Sequence, residues 1–236
     1  MIEIRRSLDR GHADRGWLKS RFTFSFADYH DPDHMGFRVL RVINEDYIEP
    51  GKGFGPHAHR DMEIITYILD GTLLHRDSMG EMHSIGPNEI QTMSAGSGIV
   101  HSEVNPSDSE TVHLLQIWIE PSEEDLVPAY QQIGFDAEEK RGRLRLLGGP
   151  DRGDSKTETV IRQNVRVYAA ELSDKDSITT TLAPGRFGWI QVARGRILVN
   201  DHALETGDGA AISQESQLTL SGRGDAASEF IFFDLP

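Results

Sequence analysis

The sequence predicts an all-β protein built from two similar halves. Short runs of β-branched and aromatic residues recur along the chain, and 23 Gly and 10 Pro among 236 residues supply turns between them. Short strands separated by closely spaced turn signals are typical of a sandwich or barrel. We divide the chain into an N-terminal domain, 1–125, and a second domain, 126–236, with the link between the barrels near residues 121–140.

The first half contains short strands that carry both apolar and polar side chains. Phe22 to Phe26 alternate aromatic and polar residues, as a half-buried strand does, and we expect these aromatic rings to fill a core. Asn44-Glu45-Asp46 is predicted to turn the chain. The predicted strands of this half are 22–26, 37–43, 64–69, 73–77, 90–93, a strand that carries His101 and Glu103, and 112–119.

The link is predicted to be a short helix. Ser122 can cap it, and the acidic residues 123–125 suit its first turn. The β pattern then returns in six runs, namely 165–169, 178–182, 189–192, 196–199, 217–220 and 230–233.

The two halves look like copies of one plan. Pro50-Gly51 in the first half corresponds to Pro184-Gly185 in the second. The segment Tyr67–Gly71 corresponds to the segment Ile190–Gly195. The second copy is shorter by about ten residues between these marks, which we interpret as loss of a His-bearing segment. We therefore predict a C-terminal barrel without metal, filled by apolar side chains: Trp189, Ile190, Leu198, Ile212, Leu218 and Phe232.

The stretch 51–105 carries the candidate chemistry. Alternate side chains of a strand point to the same face, so His57 and His59 share a face, as do His101 and Glu103. An antiparallel sheet could bring both pairs together. Three imidazoles and a carboxylate suit a first-row divalent metal such as iron, manganese, cobalt, nickel, copper or zinc.

Glu63 competes with Glu103 for the carboxylate position. It lies four residues after His59, so an unbroken strand would place it on the same face; otherwise it could accept the second ring N–H of a ligand histidine. The remaining histidines show no comparable arrangement and are interpreted as surface or core residues: His12, His30, His34, His75, His83, His113 and His202.

Composition limits the classes of function. The formal net charge of −14 disfavours direct binding to nucleic acid. The absence of Cys excludes disulfides and thiolate metal sites. No apolar stretch is long enough to span a membrane, and the charged start has no secretory pattern, so a cytoplasmic protein is expected.

Several phrases of the sequence resemble the cupin superfamily, and the fuller set is similar to its pirin branch. They are Thr23–Ala27, Leu40–Asn44, Gly53–Glu63, His75–Ser78 and Met93–Glu103. The resemblance implies a bicupin, in which two jelly-roll-like β-barrels lie face to face with one metal ion, iron being expected, in the N-terminal barrel. It also implies that the ligands are His57, His59, His101 and Glu103.

The resemblance implies two alternative activities. Bacterial members similar to this chain cleave the flavonol quercetin with O₂ and release carbon monoxide, and in that case Glu103 could take the substrate's hydroxyl proton. Eukaryotic pirin is an iron-bound nuclear cofactor of transcription factors, which implies a redox-sensing regulator acting on a partner protein without turnover. A monomer is expected.

Overall fold

The computed structural model describes residues 1–151 and 157–236, and almost all of its regular structure is β strand. In the described residues, 3₁₀ turns occur at Ser7–Asp9 and Ala137–Lys140, and no helix is long and apolar enough to cross a membrane. The strands are β1 (Ile2–Arg5), β2 (Gly11–Asp14), β3 (Leu18–Phe22), β4 (Leu40–Ile48), β5 (Gly53–His59), β6 (Glu63–Asp70), β7 (Leu73–Asp77), β8 (Met82–Ile85), β9 (Glu89–Ser94), β10 (Ile99–Val104), β11 (Val112–Ile119), β12 (Ala129–Gly134), β13 (Arg145–Gly149), β14 (Thr159–Val160), β15 (Arg166–Leu172), β16 (Ser177–Thr181), β17 (Phe187–Arg194), β18 (Arg196–Val199), β19 (His202–Glu205), β20 (Gly209–Ile212), β21 (Gln217–Arg223) and β22 (Ser228–Leu235).

The chain forms two compact units that are not continuous in sequence. The N-terminal unit contains Gly11–Phe135 and Asp151–Gln163, and the C-terminal unit contains Met1–Arg10, Asp136–Pro150 and Asn164–Pro236. Strand β1 therefore belongs to the C-terminal unit and β12 to the N-terminal unit. The division into domains 1–125 and 126–236 remains a prediction.

The N-terminal unit consists of two antiparallel sheets. The larger has the order β12-β9-β6-β11-β4-β3-β2, and the smaller β5-β10-β7-β8. An apolar cluster with members from both sheets fills one part of the interior: Leu18, Ile48, Ile68, Leu73, Ile85, Val112 and Leu114. A second apolar cluster in this unit consists of Ile64, Met93, Ala95 and Ile99. Buried polar side chains, among them the histidines described below, occupy other parts of the interior.

The C-terminal unit repeats this arrangement with six strands in its larger sheet, against seven in the N-terminal unit, and four in its smaller sheet. Its larger sheet runs β1-β20-β17-β22-β15-β13, and its smaller sheet runs β16-β21-β18-β19. An apolar cluster fills the space between its sheets: Ala170, Leu172, Leu182, Ile190, Val192, Ile197, Val199, Leu204, Ala210, Ile212, Leu218, Leu220, Phe230 and Phe232. The predicted duplication is therefore present in the strand order itself.

The interpretation that the second copy lacks the His-bearing segment is wrong. Strand β16 pairs with β21 as β5 pairs with β10, so the segment is present but precedes Pro184-Gly185. In β16 the half-buried residues are Ile178 and Thr180, and in β21 the buried ones include Leu218 and Leu220. Apolar and hydroxyl side chains thus occupy the strands that carry imidazoles in the first unit.

Three local predictions fail for physical reasons. The strand predicted at 22–26 ends at Phe22, and the next residues are buried without forming a strand. Asn44-Glu45-Asp46 is not a turn but the buried middle of β4, because partners on both sides satisfy its backbone. No helix begins at Ser122, whose hydroxyl instead donates to Arg162 O at 3.1 Å.

The predicted filling of the second interior is correct for most of its members. Ile190, Ile212, Leu218 and Phe232 belong to the cluster, whereas Leu198 is only half-buried. Trp189 is 3% exposed but lies outside this cluster. It packs against Gly209, where an added Cβ would lie 2.5 Å from Trp189 Cζ2, so only glycine leaves room for the indole.

We expect Trp189→Ala to lower the free energy of unfolding by about 3–5 kcal/mol, because it leaves a cavity where a buried indole was packed. Urea denaturation would measure the change. His202→Ala is the control, since His202 is exposed in the same unit, and we expect it to leave stability and metal content unchanged. A loss of metal in His202→Ala beyond any loss of folded protein would contradict a metal-free C-terminal barrel.

Candidate metal centre

The histidines predicted on β5 and β10 lie together in the N-terminal unit. His57 pairs directly with His101 across the two antiparallel strands. The ring centroids of His57 and His59 are 4.8 Å apart, and His101 lies 4.4 and 4.9 Å from them. One ring nitrogen from each can be chosen so that all three lie within 4.8 Å of one another.

The backbone brings these strands unusually close. A Cβ added at Gly53 would lie 2.2 Å from Glu103 O, so this position of β5 requires glycine. Beside it the register shifts between His101 and Glu103, because β5 has two residues, Gly55 and Pro56, where β10 has one. Such irregularities re-aim side chains next to functional sites.

The hydrogen bonds of the imidazoles leave nitrogen atoms suited to a metal. His57 Nδ1 lies 2.9 Å from Gly55 O; if this nitrogen donates to the carbonyl, Nε2 carries the lone pair. His101 Nε2 is buried and has no hydrogen-bond partner within residues 1–151 and 157–236. A buried, unsatisfied imidazole nitrogen is costly unless something binds it, so the donor set fits a divalent transition metal.

The cluster favours neutral imidazoles. Burial, and then the neighbouring His57, lowers the pKa of His59 to about 4. Burial, followed by the other histidines around it, lowers the pKa of His101 to about 2. At neutral pH these two rings therefore carry no competing proton, which is the state that coordinates a metal.

Glu103 is a buried carboxyl held by polar side chains. Gln116 Nε2 donates to Glu103 Oε2 at 3.0 Å, and Thr66 Oγ1 lies 3.5 Å from Oε1. Burial raises the pKa of Glu103 to about 7, although both hydrogen bonds oppose the rise. The structure groups Glu103 most closely with His75 and His101 rather than with His57 and His59.

Glu63, the competing carboxylate, has other partners. Its Oε2 accepts from Ser94 Oγ at 2.8 Å and from the Arg162 backbone N–H at 3.0 Å. The strand is interrupted between His59 and Glu63, where Asp61 has a φ of 48°, so the alternation that placed Glu63 on the histidine face does not hold. Neither histidine cluster found in the described residues includes Glu63.

A cavity of about 230 Å³ opens onto the histidines. One part of its wall is aromatic: Phe22, Phe26, Phe54 and Trp118. Another is polar: Ser20, Asn44, Asp46 and Gln116. Ser20 Oγ donates to Asp46 Oδ1 at 2.5 Å, which fixes that carboxylate in the wall. The cavity can therefore hold a flat ring and bind its polar substituents.

A second groove, of about 380 Å³, adjoins this cavity. Both are lined by Phe26, Ala27 and Trp118, so these residues form the wall between them. The Phe26 and Trp118 rings meet edge to face at 5.4 Å. The size of the space next to the histidines thus depends on these two side chains.

Sequence reasoning missed three residues here. Asn44 and Asp46 were assigned to a turn, and His75 to the surface or core. His75 is indeed buried, but its Nδ1 lies 3.5 Å from His101 Nδ1. The signal was available, because His75 and Asp77 show the same two-residue spacing as the other pairs, on a strand next to β10.

Comparison with known proteins covers the whole chain. Residues 3–119 match the family described as Pirin, and residues 146–235 match the Quercetinase C-terminal cupin domain. Quercetin 2,3-dioxygenase of Escherichia coli strain K12 is 46% identical over 100% of this chain and 99% of the relative. A crystal structure of YhhW from E. coli matches with a TM-score of 0.94 and 45% identity, covering 100% of this chain and 98% of that one.

A further crystal structure, of bacterial pirin YhhW in complex with nickel(II), gives a TM-score of 0.93 at 44% identity and covers 100% of this chain and 99% of that one. These matches extend through both units, and the strand order of each unit is repeated in the other. The fold is that of a bicupin, as the resemblance implied. The chain belongs to the pirin family of the cupin superfamily.

Proposed function

We propose that the protein is a metal-dependent dioxygenase that cleaves a flavonol such as quercetin with O₂ and releases carbon monoxide. The main observation behind the proposal is the position of Glu103. This buried carboxyl lies next to neutral imidazoles and lines a cavity that also has aromatic walls. Such a carboxyl is suited to take a proton from an enol hydroxyl near neutral pH. The relative named quercetin 2,3-dioxygenase supports the choice of substrate.

His57, His59, His101 and Glu103 are the proposed ligands. Iron is the proposed ion, and the nickel(II) complex of the related YhhW supports a divalent metal. A bound divalent metal would stabilise the deprotonated enol and make it reactive toward O₂. The protein's own contribution is to hold the ligands, since Gln116 and Thr66 orient the Glu103 carboxylate and the Gly55 carbonyl orients the His57 ring.

The cavity supplies the surface on which the substrate would bind. The reacting ring of a flavonol would lie between the aromatic side chains of Phe22, Phe54 and Trp118, which offer apolar contacts to a flat molecule. At about 230 Å³ the cavity is smaller than the typical pocket for a ligand of this size. The second ring would therefore extend past Phe26 into the adjoining groove.

The proposed reaction balances without a further reductant. The flavonol's 3-hydroxyl proton moves to Glu103, both atoms of O₂ enter the organic product, and one ring carbon leaves with its oxygen as carbon monoxide. The proton held by Glu103 returns to the ring-opened product. The flavonol supplies all the electrons that O₂ accepts.

We expect His57→Ala/His59→Ala to lose nearly all of the metal that the isolated wild-type protein carries, about one ion per chain, because it removes two of three imidazole donors. Elemental analysis would measure the content. His12→Ala/His34→Ala is the matched control in the same unit, outside the cluster. Equal metal content in wild type and the His57/His59 variant would refute the site.

We expect the metal-loaded protein to bleach quercetin in air and not under anaerobic conditions, with carbon monoxide formed in proportion to the quercetin consumed. Visible absorbance and gas analysis would follow the reaction. Chelated wild type and His101→Ala provide the background. If absorbance falls no faster than in the chelated protein while metal is bound, the protein binds metal without this turnover, and the regulatory alternative is favoured.

The raised pKa of Glu103 gives a pH prediction. Below about pH 7 the metal-free carboxyl is protonated, and a metal can bind the carboxylate only after that proton leaves. At pH 6, Ni(II) binding should therefore release about one more proton from wild type than from Glu103→Gln, and at pH 8.5 the difference should vanish. Calorimetry in two buffers of different ionisation enthalpy measures the release. Equal release at pH 6 would exclude Glu103 as a ligand.

A further inference from the structure

A buried chain of polar groups extends from the candidate metal centre to the β7–β8 hairpin. His75 Nδ1 lies 3.5 Å from His101 Nδ1, and His75 Nε2 lies 3.0 Å from Asp77 Oδ2. The side chains of both His75 and Asp77 are completely buried. In the paired strands His75 lies opposite Glu103, and Asp77 lies opposite His101.

The outer end of this chain is fixed by backbone groups. Asp77 Oδ1 accepts from the backbone N–H of Met79 at 2.9 Å and of Glu81 at 3.2 Å. Its other oxygen, Oδ2, is thereby directed at His75. Tyr130 covers the His75 ring, with centroids 4.8 Å apart, and excludes solvent from it.

The hydrogen-bonding roles along the chain follow from the carboxylate. An ionised carboxylate only accepts, so His75 Nε2 carries the proton that it donates to Asp77. In the neutral His75 ring, Nδ1 is then an acceptor, and it faces His101 Nδ1. His101 then donates from Nδ1, which leaves the lone pair on its buried Nε2, an atom with no hydrogen-bond partner among the described residues.

We propose that His75 and Asp77 are positioning residues that fix the His101 ring, in its Nδ1–H tautomer and orientation, for metal binding through Nε2. This inference rests on the proposed metal site. It also assigns a role to the second cluster of His75, His101 and Glu103, in which His75 acts through His101 instead of binding the ion. Partners of this kind commonly change metal affinity by about 10–100-fold when they are removed.

The first test measures the wild-type protein and uses one variant only to assign signals. In the metal-free wild-type protein, ¹⁵N–¹H correlation of the histidine rings should show His101 protonated at Nδ1 and His75 at Nε2. The His101 signals can be assigned by their loss in His101→Gln. A His101 ring protonated at Nε2 would overturn the proposal whether or not the protein binds metal.

The second test compares variants with the same metal. We expect His75→Leu to weaken Ni(II) binding by about 10–100-fold and to change the Cu(II) electron paramagnetic resonance spectrum. His75→Gln should recover much of the affinity, because an amide can both accept from His101 and donate to Asp77. His113→Leu is the matched control, since His113 is also buried and bonded to a carboxylate, Glu45, but does not line the cavity.

The outcomes separate this inference from the proposed function. Wild-type affinity and spectrum in His75→Leu, with metal bound by wild type, would overturn only the positioning role. Loss of metal as complete as in His101→Ala would also overturn it, because His75 would then be a ligand. Wild type that binds no metal would overturn both proposals. If His75→Leu does not fold, the tautomer measurement on wild type still decides the question.

Discussion

The N-terminal unit depends on the burial of polar groups that its own side chains do not fully satisfy. Strand β10 carries His101 and Glu103 into the interior, between β5 and β7, and both side chains are at least 97% buried. Burying the Glu103 carboxyl and the imidazoles of His75 and His101 costs free energy unless each is bonded. Neighbouring strands supply hydrogen-bond partners: Gln116 and Thr66 for Glu103, and His75 for His101. Among the described residues, His101 Nε2 is one of the buried atoms of this unit that lack a hydrogen-bond partner, and it is the imidazole nitrogen among them.

The C-terminal unit has the same strand order but an apolar cluster where the N-terminal unit buries polar side chains. Its strands follow the same order, yet its interior is apolar throughout the cluster of described residues. Where β5 and β10 carry imidazoles and a carboxylate, β16 and β21 carry Ile178, Leu218 and Leu220. A close-packed interior of this kind gains stability from buried area and leaves little space for an ion. The two units therefore differ in a few interior side chains on a shared framework.

The fold class and the histidine cluster could be predicted from the sequence because both follow from local periodicity. Alternation on a strand places His57 with His59 without any knowledge of the rest of the chain. The errors arise where a tertiary partner overrides the local signal. Asn44-Glu45-Asp46 reads as a turn because its residues are polar, but they lie inside β4, where Asn44 and Asp46 face the cavity and Glu45 bonds His113. Glu63 was an open alternative because an unbroken strand would place it on the histidine face, but the backbone at Asp61 breaks that alternation.

The same reasoning explains why His75 was overlooked and why it matters. The two-residue spacing of His75 and Asp77 indicates only that both side chains share one face of a short strand. The importance of that face depends on β7 lying beside β10. That pairing is set by the order of the whole sheet, which no short pattern encodes. Once β7 is in place, its alternate residues His75 and Asp77 must face the same interior as His101 and Glu103. Each buried donor requires an acceptor, so the hydrogen-bonded polar groups continue from β10 to its neighbour β7. This series of hydrogen bonds ends at Asp77, which accepts from the backbone N–H groups of Met79 and Glu81 in the hairpin.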